Sequence, residues 1–388
     1  MAPASPPPPR LVHVITGLNP GGAEAMCVAL AVRLARHAHL PWEQGVISLM
    51  PEGPLAAPLH AAGIPVIFCG LRRPLQAPLA LWRLAEALRF FQPHVIQSWM
   101  YHADLLTGLA LRLPGIAAHP ALVWGLHNGS LDPAVLPRAT RWIVRILARA
   151  SAWMPDAVVS CAEAARTVHQ DAGYRPRRWE VIPNGIDTDR FRPDPALRLA
   201  ARRAWNLPED VPVLGLAARD HPVKDLPTFA RAVATLAQQV PALRCVCCGQ
   251  GLDAENTRVV SMLREAGILE RCVLLGLERD MPRFWNGVDV AISSSRGEAL
   301  PLGLAEAMAC GVPVAATDVG DTAQLLGECG RLAPPGDAAA LARAARWVLE
   351  HAASLRTPAR ARILARFSLA ACVERYAALY AALSGRSP

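Results

Sequence analysis

The chain has 388 residues, of which 52% are hydrophobic and 19% charged, and its formal net charge is +8. This length exceeds the roughly 250–300 residues at which a single core stops growing, so we expect two domains. No apolar run reaches the ~20 residues that a membrane-spanning helix needs, and the Pro-rich start lacks the pattern of a signal peptide, which predicts a cytoplasmic protein. Basic and aromatic residues do not interleave as in nucleic-acid-binding surfaces, so we expect no nucleic-acid partner.

Residues 1–10 are predicted to be a flexible Pro-rich leader. Short apolar runs then alternate with amphipathic segments, as in a parallel sheet covered by helices on both faces. Strands are predicted over residues 11–18, 45–50, 65–69, 94–99, 121–127 and 157–161, and helices over 22–36, 78–91 and 136–150. Residues 11–180 are therefore predicted to form a first α/β domain.

Residues 181–195 are dense in turn-forming residues and indicate a linker. The alternation then resumes, with predicted strands over 211–218, 244–248, 272–277, 288–293 and 313–317, and predicted helices over 337–351 and 369–383. We expect a second doubly wound domain over residues 181–366, and a C-terminal helix within 367–388 that packs back toward the first domain. Since such sheets bind ligands at the carboxyl ends of their strands, the active site is expected in a cleft between the domains.

The ten cysteines lie mostly within apolar runs, where a free thiol behaves as a small hydrophobic group. Cys245 and Cys248 form a C-x-x-C motif, but they lie in a predicted buried strand and no second pair follows at zinc spacing. We interpret them as core residues and predict no metal site.

Lys224 is the only lysine, and every other one of the 40 basic residues is arginine. It lies five residues after Arg219, in the loop that follows the first strand of the second domain. Arg presents a planar fork and Lys a compact, mobile charge, a combination that suits the two phosphates of a diphosphate. A solvated loop is the alternative, and the single use of lysine favours phosphate binding.

Two glutamates flank the start of a predicted helix in the second domain. Glu298 precedes the helix and Glu306 lies within its apolar face, where a surface charge is not expected. Amides at the helix N-terminus can hold a phosphate, while carboxylates can accept hydrogen bonds from sugar hydroxyls. We predict that the donor-binding residues of this segment are Glu298, Ala299, Leu300, Pro301, Leu302 and Glu306.

The first domain contributes candidates after three of its strands. Gly21 and Gly22 precede the first helix, where paired glycines let amides approach an anion, although a tight structural turn explains them equally well. His102 follows a predicted strand, and His127 with Asn128 follows the next one. We predict that His127 acts in catalysis and that His102 and Asn128 contact the acceptor or the sugar.

Several motifs together resemble those of retaining glycosyltransferase family 4: G-G-A-E near the start, I-P-N-G-I-D at the linker, R-x4-K-D, and E-x7-E followed by A-M-A-C-G-V-P-V. The resemblance extends from residue 11 to the C-terminal helix. It implies the GT-B fold, in which two Rossmann-like α/β domains face an interdomain cleft. It also implies a metal-independent reaction, an acceptor-binding first domain and a second domain that binds a nucleotide diphosphate sugar, with a UDP-sugar favoured.

The same resemblance implies roles for individual residues. Arg219 and Lys224 would neutralise the donor diphosphate, Glu306 would bind the ribose and Glu298 the donor sugar. The loop at Gly21 and Gly22 would lie over the diphosphate or the acceptor, and His127 would contact the donor sugar near the reacting carbon. The segment W-M-Y-H-A-D-L at 99–105 is similar to a subset of the family active on bacterial surface polysaccharides, which implies a saccharide or lipid-linked acceptor in cell-envelope or exopolysaccharide synthesis.

The chain departs from the family at two positions. Ala218 and Ala299 stand where glycine is usual. Each added methyl group would narrow the donor pocket, so the motifs do not determine which sugar the donor carries. Two other functions remain as alternatives, a sugar-nucleotide epimerase of the same architecture and a catalytically inactive nucleotide-sugar-binding scaffold.

One predicted helix is both basic and amphipathic. Arg138, Arg141, Arg145 and Arg149 recur at helical spacing with apolar residues between them, a pattern that can dock on anionic lipid. An ordinary solvated helix face is the alternative. If lipid docking holds, the protein would lie peripherally on the inner face of the plasma membrane.

Overall fold

A computed structural model describes residues 8–36, 42–116, 120–132 and 136–385. The chain forms two compact units, Met1–Gly185 with Leu369–Pro388 and Ile186–Ser368. Most of the predicted leader lies outside the described residues, but its last residue, Arg10, opens the first strand and is not part of a leader.

The first unit contains a parallel sheet, in which the described residues form seven strands in the order β3-β2-β1-β4-β5-β6-β7. The strands are β1 Arg10–Ile15, β2 Glu43–Ser48, β3 Val66–Phe68, β4 Val95–Trp99, β5 Ala121–Leu126, β6 Ala157–Ser160 and β7 Trp179–Val181. The five residues of β4 are all buried, because helices cover both faces of the sheet.

The helices of this unit form two layers. Those that precede Gly185 are α1 Gly22–Leu34, α2 Ala56–Ala61, α3 Ala77–Phe91, α4 Met100–Ala110, α5 Arg138–Ala150 and α6 Glu163–Asp171. Residues of α1 and α2 share one apolar core with one face of the sheet. Residues of α3, α4 and α5 share a second core with the opposite face.

The second unit contains another parallel sheet, with six strands among the described residues in the order β10-β9-β8-β11-β12-β13. The strands are β8 Val213–Ala217, β9 Arg244–Cys248, β10 Cys272–Leu274, β11 Val290–Ser293, β12 Val314–Thr317 and β13 Gly330–Ala333. The helices are α7 Pro195–Ala204, α8 Leu226–Gln239, α9 Thr257–Glu265, α10 Met281–Gly287, α11 Leu302–Ala309, α12 Thr322–Leu326 and α13 Ala338–Arg366. Both units thus have the doubly wound α/β architecture expected from the sequence.

The boundary of the first unit differs from the predicted one. Residue 181 was expected to begin a linker, but Val181 pairs with Ser160 as the last residue of β7. The unit therefore continues to Gly185. A three-residue edge strand beside several turn-forming residues is too short to be recognised by its apolar pattern.

The helix α13 is also longer than expected, running fifteen residues past the predicted end at His351. It continues through Pro358, and its apolar face continues with the buried residues Ala359 and Ile363. The chain then returns to the first unit as α14, Leu369–Leu383, whose Leu369, Tyr376 and Tyr380 join the apolar core of α1.

The cysteines of β9 alternate between the two faces of the strand. Cys245 and Cys247 lie in the core of the second unit beside Cys272 of the adjacent strand, whereas Cys248 faces the other side. The residues of the C-x-x-C motif therefore do not meet. No group of three or more metal-ligating side chains, and no helix long and apolar enough to cross a membrane, occurs in the part of the chain that the structure describes.

Candidate active site

The topology of the second unit places the predicted donor residues together. β8 and β11 are neighbours at the point where the strand order reverses, and ligands of doubly wound sheets bind at such a point. The loop after β8 carries Arg219 and Lys224, and the loop after β11 carries Glu298.

Hydrogen bonds join these two loops. The Ser294 hydroxyl donates to the Lys224 carbonyl at 2.8 Å, and the Arg296 amide donates to the Val223 carbonyl at 2.7 Å. The Arg296 side chain also donates to Asp225 at 2.8 Å. These hydrogen bonds fix the two loops against each other.

Lys224 and Glu298 form an ion pair at the centre of this site. Lys224 Nζ lies 2.5 Å from Glu298 Oε1, with only 21% and 15% of the two side chains exposed. The Ser295 hydroxyl donates to the same carboxylate oxygen at 2.7 Å. The ammonium and carboxylate groups are thus held at one point, where the first can meet a phosphate and the second a hydroxyl group.

Arg219 lies in the same loop but does not take part in this cluster. Its side chain is exposed, and within the described ranges it has no side-chain hydrogen bond or ion pair. Its neighbour Asp220 is held by Asn256, which donates to it at 2.9 Å. The guanidinium of Arg219 is therefore available to an anionic ligand.

Glu306 lies on α11 against the indole of Trp285, which donates to Glu306 Oε2 at 3.4 Å. Burial raises the pKa of this carboxyl to about 7, although the Trp285 hydrogen bond and the charge of Arg190 oppose the rise. Hydroxyl groups that donate hydrogen bonds to such a carboxyl favour its ionised form.

A pocket at the switch point is shared by Lys224 and Glu298, whereas Arg219 and Glu306 are not among the residues that line it. Its lining residues include Ala218, Lys224, Trp285, Ser295, Glu298, Pro301 and Leu302. Pro301 and Leu302 thus lie where they were expected, at the start of α11.

Ala299 and Leu300 support the loop before that helix. The Ala299 carbonyl accepts a hydrogen bond from Asp321 at 2.9 Å, and Leu300 is buried. Gly320 has a φ of +55° and packs so closely that a Cβ there would lie 2.2 Å from the Glu298 carbonyl oxygen. This contact fixes the backbone that carries Glu298.

The remaining candidates belong to the first unit, where β1 and β4 are the neighbours at its own point of reversal. Gly21 and Gly22 lie after β1, at the start of α1. The carboxylate of Glu24 lies over Gly21, because a Cβ on Gly21 would be 2.2 Å from Glu24 Oε2, while Gly22 faces open space. An acidic group near the helix N-terminus is favoured by the helix dipole.

His127 follows β5 and stacks on Trp99, with 5.0 Å between ring centroids and 27° between ring planes. Burial lowers its pKa to about 4, so the imidazole is neutral at pH 7. The carboxamide of Asn184 approaches the ring without the geometry of a full hydrogen bond. The imidazole can therefore serve as a neutral hydrogen-bonding group.

His102 lies just after β4, and Asn128 lies just after β5. His102 is half-buried in the first turn of α4, and burial lowers its pKa. Asn128 Oδ1 accepts a hydrogen bond from the Ser130 amide at 3.2 Å. The residue before His102, Tyr101, is buried and its hydroxyl bonds to His169 at 2.9 Å.

Sequence reasoning missed four residues that shape these sites. Ser295 contacts Glu298 from within the same loop. Trp285 contacts Glu306, and Trp99 and Asn184 approach His127, in each case from another element. Ser295 had a local signal, since it ends a run of three serines that begins with the last residue of β11. The other three contacts join residues more than 20 positions apart, so no local pattern indicates them.

Family models match both units of the chain. Residues 20–190 match Glycosyltransferase Family 4, and residues 211–351 match glycosyl transferases group 1. The HepE protein of Anabaena, solved with UDP and glucose, has a TM-score of 0.81 at 21% identity, covering 96% of this chain and 99% of that one. At this identity the likeness establishes the fold, which is that of the GT-B glycosyltransferases.

Related sequences are also named as glycosyltransferases. A D-inositol 3-phosphate glycosyltransferase of Geodermatophilus obscurus is 34% identical over 58% of this chain, a match that spans about half, 52%, of that relative's length. EpsF of Bacillus subtilis, named as a glycosyltransferase, is 27% identical over 80% of this chain and 79% of its own length. Both units of the chain therefore carry glycosyltransferase domains, the first matching Glycosyltransferase Family 4 and the second glycosyl transferases group 1. This agrees with the family expected from the motifs.

Proposed function

We propose that the protein is a retaining, metal-independent glycosyltransferase. It transfers a sugar from a nucleotide diphosphate sugar, with a UDP-sugar favoured, to a saccharide or lipid-linked acceptor in cell-envelope or exopolysaccharide synthesis. The observation that carries the proposal is the Lys224–Glu298 ion pair at the switch point of the second unit. The UDP bound in HepE of Anabaena supports a uridine donor.

The donor would be held by the second unit. Lys224 and Arg219 would neutralise the diphosphate together with the amides of the first turn of α11, which stabilises charge on the leaving group. Glu306 would accept hydrogen bonds from the ribose, and Glu298 from the donor sugar. The reaction then needs no metal to compensate the phosphate charge.

The acceptor would be bound by the first unit, with His102, Asn128 and the loop at Gly21 and Gly22 as contacts. The neutral imidazole of His127 would hydrogen-bond the donor sugar. No carboxylate is assigned as a covalent nucleophile. The acceptor oxygen would attack from the face that the phosphate leaves, and the departing phosphate oxygen would take the acceptor proton, so that the anomeric configuration is retained.

We place this reaction at the cytoplasmic face of the membrane. The four arginines of α5 named above would contact anionic lipid, and a lipid-linked acceptor would then be within reach. Three of them, Arg138, Arg145 and Arg149, are exposed, and Arg141 is half-buried.

Proton NMR of the sugar product in the presence of EDTA tests the proposed reaction. The account predicts a product with the donor's anomeric configuration and a rate that EDTA leaves unchanged. It also predicts that Lys224→Ala lowers turnover at least about 100-fold, the scale expected when a group that stabilises the transition state is removed.

The matched control is Arg264→Ala, an exposed cation on α9 of the same unit, which should keep full turnover. Full turnover in Lys224→Ala, or an inverted product, would overturn the proposal. An epimeric sugar, with one inverted ring carbon, formed from the donor without any acceptor would instead identify an epimerase.

A further inference from the structure

The exposed large apolar residues are concentrated on one surface of the first unit. Among the described residues ten such side chains are exposed, and eight of them lie on or next to three helices: Leu75, Leu79, Trp82, Phe90, Leu109, Trp142, Ile146 and Trp153. Leu75 is 93% exposed and Phe90 is 75% exposed. A concentration of this kind marks an interaction surface.

The three helices that carry these residues are neighbours. α3, α4 and α5 cover the same face of the first sheet, and α4 packs against both of the others. We call their outer surface the α3–α5 face, formed by residues 72–92, 100–116 and 136–153. Leu79 and Trp82 lie three positions apart on one side of α3, and Leu75 lies in the short 3-10 turn just before that helix. We call these three residues the α3 ridge.

The charge of this face is almost entirely positive. It carries nine arginines: Arg72, Arg73, Arg83, Arg89, Arg112, Arg138, Arg141, Arg145 and Arg149. Its acidic residues are Glu86, which pairs with Arg89, and Asp104, which is fully buried with a pKa raised well above its usual range. With nine arginines and one exposed carboxylate, the net charge of this face is as large as the net charge of the whole chain, +8.

Arginines and aromatic rings are paired on this surface. The Arg112 guanidinium lies 4.5 Å from the ring centroid of Trp153, and that of Arg145 lies 5.3 Å from the ring centroid of Trp142. Tryptophan favours the boundary between headgroups and hydrocarbon, and arginine binds phosphate as a fork. A protein partner would more often meet a mixed-charge rim around an apolar centre.

We propose that the α3–α5 face docks on an anionic lipid bilayer, with the α3 ridge and Phe90 entering the interface and the arginines binding lipid phosphates. The contact extends well beyond α5, and the α3 ridge supplies its apolar part. The proposal rests on the proposed function only for its purpose, which is to bring the protein to a lipid-linked acceptor.

Co-sedimentation with vesicles tests the proposal. The full chain should bind vesicles of phosphatidylglycerol and phosphatidylcholine at least tenfold more tightly than vesicles of phosphatidylcholine alone. The variant Leu79→Ser, Trp82→Ser, Phe90→Ser keeps every arginine and should bind the anionic vesicles at least fivefold more weakly. Its side chains are exposed, so its thermal unfolding should stay close to that of the wild type.

The matched control is Leu277→Ser, Leu364→Ser, which changes the other two exposed large apolar side chains, both in the second unit, and should bind vesicles like the wild type. Equal binding to both kinds of vesicle, or unchanged binding of the α3 variant, would overturn the proposal. So would a stable dimer in light scattering that the α3 variant dissociates, because a second copy would then cover the face. Nucleotide binding measured on the same samples separates this failure from a failure of the proposed function.

Discussion

At the scale of single residues, the buried carboxyl of Glu306 makes the stability of the protein depend on pH. Its pKa of about 7 in the folded chain exceeds the ordinary value of 4.5 because the group is buried. Below pH 4.5 the carboxyl is neutral in both the folded and unfolded states and costs nothing. As the pH rises from 4.5 to 7, the carboxyl ionises in the unfolded state before it does so in the folded state, so the free energy of unfolding falls, and it levels off above pH 7.

Glu306→Gln should therefore stabilise the protein at high pH. We expect its free energy of unfolding to exceed that of the wild type at pH 8 by up to about 3 kcal/mol, and the difference to shrink toward pH 5. Urea unfolding at the two pH values measures this, with the exposed Glu255→Gln as the control. A difference that does not change with pH would contradict the burial argument.

Individual residues of the candidate site were predictable when the residue type was unusual for its surroundings in the sequence. Glu306 stood out as an acid on an apolar helix face, and Lys224 as the only lysine. Trp285 carried no such conflict, because a buried tryptophan is ordinary core and its hydrogen bond to Glu306 depends on the packing of α10 beside α11. Asn184 was interpreted as part of a turn, and only the fold brings it near His127.

At the scale of elements, the ends of neighbouring strands set the geometry of the donor loops. Gly249 follows β9 with a φ of +129°, and a Cβ there would lie 1.9 Å from the Ala218 carbonyl oxygen. Ala218 precedes Arg219 in the loop after β8. The glycine therefore permits a backbone contact that positions this loop.

Gly249→Ala should be one of the most damaging single-methyl changes in the second unit. We expect it to lower the free energy of unfolding by about 3 kcal/mol or more, from strain and overlap together. Gly267→Ala also places alanine at a positive φ, +72°, but with nothing within 4 Å, and should cost about 1 kcal/mol. Denaturant unfolding compares the two, and equal losses would refute the role of the close contact.

Most long helices and strands were predictable from their apolar periodicity. The errors at β7 and at the end of α13 have a common cause. The edge strand β7 has only three residues, all half-buried, so it lacks a run that a pattern can reveal. The helix α13 contains Pro358, which normally marks an end. In both cases pairing or packing with distant residues decides the structure.

At the scale of the whole molecule, the chain passes from the first unit to the second and back again. The return helix α14 completes the core against α1, and the Tyr380 hydroxyl donates to Gln97 of β4 at 3.0 Å. The sequence indicated two α/β domains because the β-α alternation stops and resumes. The boundaries were less predictable, since the turn-rich segment near residue 181 begins inside the first unit.

The central claim is that the second unit binds a nucleotide diphosphate through Lys224. The direct measurement is thermal unfolding of wild type, Lys224→Ala and Arg264→Ala with UDP, GDP, ADP and TDP. A ligand at about 100 times its Kd stabilises a protein by roughly 2.7 kcal/mol, which shifts the Tm by several degrees. The account predicts such a shift with one nucleotide, UDP favoured, in wild type and Arg264→Ala, and its loss in Lys224→Ala. An undiminished shift in Lys224→Ala, or no shift with any nucleotide, would contradict it.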